Sequence, residues 1–204
     1  AQHMGPYFAS SYVEEPGLTV YDQTQVHNLA GPLGRWAIVT NNGRSDIQTV
    51  EVSLPDGEVN LTIPLGPIGA AAIPIDIELT PTVTLDYAGL TPLGLFWGKV
   101  LVLHGPAGFM APVSVNGQVE QVTVPDRAEP ALVTIDGLTI AVLNTDTAQR
   151  TWFVDDQLVI GPAYVGGSAA EVTLDDGQTA YVILGSDGVL GRKRPKVTEG
   201  PAPH

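Results

Sequence analysis

The chain has 204 residues, 44% of them hydrophobic and 15% charged, enough to bury about 70% of its unfolded surface in one large core or two small ones. Nine basic against 22 acidic residues give a net charge of −13, the wrong sign for neutralising nucleic-acid phosphates or docking on an anionic membrane, so neither is expected as a partner. The absence of cysteine excludes disulfides, thiolate nucleophiles and Cys-based metal centres together.

In chain order, Ala1-Gln2-His3-Met4 reads as a cloning scar, and residues 1–17 as that scar with an extended lead-in. Short β-branched runs closed by turn residues then follow one another, and helical periodicity is almost absent. Trp36 to Thr40 ends at Asn41-Asn42-Gly43, and Ile47 to Leu54 ends at Pro55-Asp56-Gly57, both carrying the residues that tolerate a positive φ. Further strands are predicted over Val59 to Ile63, Ile75 to Leu79, Thr82 to Tyr87 and Val100 to Leu103. The stretch from Leu61 to Leu79 is the most apolar, but its prolines bar it from spanning a bilayer as a helix.

Asn116-Gly117 separates Val113 to Val115 from Val119 to Val124, and Asp136-Gly137 separates Leu132 to Ile135 from Leu138 to Leu143. Both are strong hairpin signals. Thr151 to Ile160, Ala169 to Leu174 and Thr179 to Leu184 make a further small β unit, with Asp175-Asp176-Gly177 as its turn. Arg192, Lys193, Arg194 and Lys196 then lead into a Pro- and Gly-rich end, which reads as a tail or linker over residues 191–204. The fold class that follows is all-β: an antiparallel, jelly-roll-like β-sandwich, larger over residues 18–115 and smaller over residues 116–190.

Chemistry is sparse in this pattern. His3, His27, His104 and His204 are too scattered for a His-based zinc site, no metal or other cofactor is expected, and no G-x-S-x-G elbow or phosphate loop is present. Asp155-Asp156 and Asp175-Asp176 are adjacent, and adjacent strand residues point to opposite faces, which makes each a poor catalytic pair. Aromatic rings can stack on the apolar face of a sugar. Trp36 sits in a run that reads as buried core, which leaves Trp97, Trp152 and Tyr164 as the candidate carbohydrate-binding residues.

The order of the pieces from Leu18 to Asp187 resembles the non-catalytic C-terminal β-domains of glycoside hydrolase family 35 β-galactosidases. Arg35-Trp36-Ala37-Ile38-Val39-Thr40-Asn41-Asn42 and Asn60-Leu61-Thr62-Ile63-Pro64 are similar to strands that follow the barrel there, and Val83-Thr84-Leu85-Asp86-Tyr87 is similar to a Val-Thr-Asp-Tyr stretch. Val100-Leu101-Val102-Leu103-His104-Gly105-Pro106-Ala107-Gly108 resembles Val-Leu-Val-Leu-Tyr-Gly-x-x-Gly, with His104 in place of Tyr. Leu143-Asn144-Thr145-Asp146-Thr147-Ala148-Gln149-Arg150-Thr151-Trp152 resembles Leu-Asp-Arg-x-x-Ala-Tyr-x-x-Trp, and Leu158 to Val165 resembles the opening of a following small β-domain. Gln149 stands where Tyr is usual, and Ile73 to Thr82 replaces a Gly-Arg-Asp-Ser-Lys stretch, departures that point to a divergent, bacterial relative.

The resemblance implies a chain without catalytic residues of its own, since family catalysis uses two glutamates of an upstream (β/α)₈ barrel of about 250 residues. It implies the parent enzyme's catalytic domain as partner, a poly- or oligosaccharide as a further ligand, and a secreted or cell-surface location. Two other readings remain open on the sequence: an autonomous carbohydrate-binding module, and a structural or adhesive β-domain.

Overall fold

The structure, a computed structural model, describes residues 12–21, 24–41, 48–53, 59–65, 69–166, 172–174, 180–184 and 189–191. The turns expected at 42–43, 55–57 and 175–177, the scar at 1–4 and the tail after Gly191 lie outside the described residues. Among the described residues the chain is nearly all strand, as its β-branched runs require, and no helix is long and apolar enough to cross a membrane.

A seven-stranded antiparallel sheet has the order β1 (Tyr12–Tyr21), β2 (Thr24–Gly31), β3 (Gly34–Asn41), β6 (Ala70–Thr80), β7 (Val83–Ala88), β10 (Met110–Val115) and β11 (Gln118–Thr123). A hairpin of β4 (Gln48–Ser53) and β5 (Asn60–Leu65) covers part of its outer face, where Leu61, Ile63 and Leu65 pack on Val39, Ile73 and Ile75. Against the inner face lies a four-stranded sheet of order β12 (Ala131–Ile135), β13 (Leu138–Asn144), β9 (Val100–Gly105) and β8 (Thr91–Phe96). Trp36, Ile77, Leu85 and Val113 of the first sheet meet Leu101, Leu103, Ile140 and Val142 of the second in the main core.

The division expected at residue 115 does not follow the packing. Asn116-Gly117, with φ of 48° and 76°, turns β10 into β11 inside one sheet, and Val122, Val124, Ile135, Leu138, Ile140 and Val142 belong to the same core as Trp36. The second unit starts after β13, at a one-turn helix α1 (Thr145–Ala148) capped by Asn144. It consists of β14 (Thr151–Val154), β15 (Gln157–Ile160), β18 (Tyr181–Leu184) and β19 (Val189–Gly191) in one sheet, with the pair β16 (Tyr164–Val165) and β17 (Val172–Thr173) beside it. Thr151 to Ile160 holds two strands, β14 and β15, and Asp155 and Asp156 form the turn between them with φ of 51° and 55°, a conformation that Asp tolerates.

Two features depart from simple antiparallel alternation. β13 runs parallel to β9, from Thr139 opposite Val100 to Asn144 opposite Gly105, although every other strand pair among the described residues is antiparallel. In β6, Ala71, Ile73 and Ile75 face the outer core while Ile77 and Leu79 face the main core, so the odd-numbered face changes sides at Asp76, whose φ is 50°. Asp76 is ion-paired with Arg35, and a Cβ on Gly34 would lie 2.6 Å from its carbonyl oxygen, so glycine is required where β3 crosses the switch. β7 makes a matching adjustment: its register with β10 slips at Asp86, whose carboxylate accepts from Ser114 Oγ at 2.6 Å and Gly117 N–H at 2.7 Å.

Burial sets the energetic weights. Leu101 is fully buried between the sheets, and Leu101→Ala is expected to lower the unfolding free energy by about 2–5 kcal/mol. Val119, on the outer strand β11 and 53% exposed, should lose about 0.5 kcal/mol or less as Val119→Ala. Urea unfolding of the two variants measures the difference, and equal losses would contradict the core described here.

Candidate functional site

The three candidate sugar-binding aromatics lie in two separate places. Trp97 is in the β8–β9 turn with φ of 53°, a strained conformation for a bulky side chain. Its indole N–H donates to Asp156 Oδ1 at 2.7 Å, and its ring lies 5.7 Å from Phe153 and 6.0 Å from Phe96. Phe153 in turn lies 5.3 Å from Phe96. Both sides of this contact use left-handed backbone, Trp97 on one unit and Asp155-Asp156 on the other, so the cost of the strained turns is offset where the units meet.

Trp152 and Phe153 point to opposite faces of β14, as neighbours in a strand must. Phe153 joins Trp97, while Trp152 packs on Val159, Val165 and Val172 inside the second unit. Tyr164, 50% exposed, meets Trp152 edge-on with centroids 6.1 Å apart and planes at 72°. It sits on the short strand β16 rather than on a loop. The structure therefore brings Trp152 and Tyr164 together and keeps Trp97 apart from them. Trp36 is fully buried in the main core, as its run indicates.

A concave site lies elsewhere, at one end of the sandwich, with a volume of about 510 Å³. Its apolar lining comes from Pro64 of β5, Ala70 and Ala71 of β6, and Pro106 and Ala107 after β9, over the buried Ile63, Ile73 and Leu90. Its polar side chains are Thr91, His104, Asp126, Asn144, Thr145 and Asp146. Thr91 is directly opposite His104 in the β8–β9 register, so the two side chains share a face. The parallel register sets Asn144 against Gly105, which brings α1 beside the end of β9.

Asn144 organises the rim. Its Oδ1 accepts from the Thr147 N–H at 2.8 Å and caps α1, and its Nδ2 donates to the Arg127 carbonyl at 3.0 Å and reaches the Pro125 carbonyl at 3.4 Å. One side chain thus fixes the backbone on both sides of Asp126 and the helical turn that carries Asp146. A Cβ on Gly105 would lie 2.8 Å from Leu90 Cδ2, so a larger residue at this end of β9 would have to displace that side chain. His104 Nδ1 is buried with no hydrogen-bond partner among the described residues. Burial holds its imidazole below the ordinary value of 6.5, so the ring is neutral at pH 7.

Chemically, this arrangement offers carboxylate and hydroxyl groups around an apolar floor. Among the described residues no group of three or more His, Cys, Asp or Glu side chains is placed to hold a metal ion. The residues of the cavity carry no sequence motif. The one local signal is His104-Gly105-Pro106-Ala107-Gly108, the strand-ending turn from which His104 and Ala107 line the site. Compared with known proteins, the chain matches no family model and no curated protein.

The depressed His104 value fixes the sign of a pH effect. The folded protein binds this proton less readily than the unfolded chain, so the stability linked to His104 is complete above the unfolded value of 6.5 and is lost as the pH falls from there through the folded-state value. Urea unfolding at about pH 8 and about pH 5 should show a smaller acid loss for His104→Gln than for the wild type. Identical losses would contradict the burial of a neutral imidazole.

Proposed function

We propose that this chain is a non-catalytic accessory β-region of a glycoside hydrolase of the β-galactosidase type, and that it packs against a catalytic barrel. The observation that carries the reading is the locked junction between its two β units. Phe96, Val102, Ala141 and Leu143 of the four-stranded sheet share a core with Leu158 and Ile160 of β15, and the Trp97–Asp156 hydrogen bond and the Phe96–Trp97–Phe153 contacts close its edge. Such a junction holds the two β units as one wall, which suits a domain that buries part of a neighbour's surface and borders its substrate cleft. The aromatic rings are committed to contacts with one another, whereas an autonomous binding module uses flat, open rings.

The order of motifs from Leu18 to Asp187 supports the choice of enzyme type. The net charge of −13 and the Gly- and Thr-rich composition accord with a bacterial protein that is secreted or held at the cell surface. In this reading the chemistry belongs to the partner domain, and the chain contributes position and surface.

Alone, the chain is expected to leave an aryl β-galactoside unhydrolysed. Expressed with the barrel of its parent polypeptide, it should co-elute with that barrel in size-exclusion chromatography and raise its melting temperature. Hydrolysis by the chain alone would contradict the reading, as would separate elution with the barrel's melting unchanged.

A further inference from the structure

We infer that the cavity at the end of the sandwich, rather than the Trp97, Trp152 or Tyr164 aromatics, is a binding site for a neutral sugar ring. At about 510 Å³ it falls in the size range of small-molecule sites and exceeds what a few waters need. The ligand class follows from what the walls can do. Pro64, Ala70, Pro106 and Ala107, half-buried or exposed at the cavity wall, offer an apolar surface to the C–H face of a ring. Asp126 and Asp146 can only accept hydrogen bonds when ionised, so the groups facing them must donate.

Thr91 and Thr145 supply hydroxyls that can both donate and accept. A ligand rich in hydroxyls and carrying an apolar face fits all of these at once. An anion is disfavoured by the two carboxylates and by the charge of the whole chain. An organic cation is the poorer fit, because no Trp, Tyr or Phe lines the cavity and its two carboxylates sit at the exposed rim, where water screens them.

The site is also built to hold its shape. Asn144 ties the Asp126 segment to α1 through three hydrogen bonds, and Gly105 lets Leu90 close the floor. The inference deepens the accessory reading, on which it rests only for favouring galactose among neutral sugars.

The test is titration of the whole chain with the methyl β-glycosides of galactose, glucose and mannose, followed by NMR of the His104 ring and the backbone amides. Saturable binding with a Kd on the order of 1 mM is expected for at least one of them. Ala107→Trp, which places a bulky ring at an exposed position on the rim, should weaken it at least tenfold, as should Asp126→Asn combined with Asp146→Asn. Tyr164→Ala should leave the affinity unchanged. Ala70→Phe on the opposite rim supplies a second occluding variant if Ala107→Trp does not fold.

No saturable shift with any of the three glycosides overturns the inference. Binding that survives both occluding variants but is lost in Tyr164→Ala also overturns it, as does binding of methylamine or galacturonate in preference to the neutral sugars. A flat titration beside a chain that still co-elutes with its barrel removes the cavity proposal and leaves the accessory reading in place. Binding of sugar by a chain that ignores the barrel does the reverse.

Discussion

Strands β9 and β13 have no solvent face, and the rest of the molecule is arranged around that constraint. Leu101, Leu103, Ile140 and Val142 need cover on one side, Val100, Val102, Ala141 and Leu143 on the other. The seven-stranded sheet supplies the first cover, and α1 with β15 supplies the second. Each fully buried aliphatic side chain of this set contributes about 1.5–3 kcal/mol relative to exposure. The second unit is therefore part of the burial of the first, and its attachment does not depend on the Trp97 contact alone. β15 repeats the pattern on a smaller scale, with Leu158 and Ile160 toward the sandwich and Val159 toward the second core.

The same pair of strands creates the cavity. Parallel strands end at the same edge, and here His104-Gly105 and Leu143-Asn144 arrive side by side. An antiparallel hairpin would have set His104 against the start of its partner strand, far from α1 and the segment that carries Asp126. The chain reaches this parallel register by leaving β9, contributing β10 and β11 to the opposite sheet, and returning through β12. Asn144 then fixes what the return brings together.

Much of this was legible in the sequence where the signal is local. The β-branched runs mark β3, β7, β9, β11, β12 and β13, and Asn116-Gly117 and Asp136-Gly137 mark turns whose φ angles are positive at both positions. β8 gave no such signal, because Pro92 and Gly94 are poor strand formers held in place by pairing with β9. The Asp155-Asp156 turn lacks the glycine that usually announces one. The face switch at Asp76 and the parallel pairing of β9 with β13 are tertiary facts: they depend on Gly34, Arg35 and a strand some forty residues away. The cavity was hidden for the same reason, since His104, Asp126 and Asp146 are unpatterned single residues until three separate segments meet.

The accessory reading and the site both depend on β9, β13 and β15 forming a single cooperative framework. Native-state hydrogen exchange measures it directly. The amides of Val100–Gly105, Leu138–Asn144 and Gln157–Ile160 should open with one common free energy, equal to that of global unfolding. Exchange of the β15 amides at a clearly lower free energy than those of β9 and β13 would show two independent units and contradict the account.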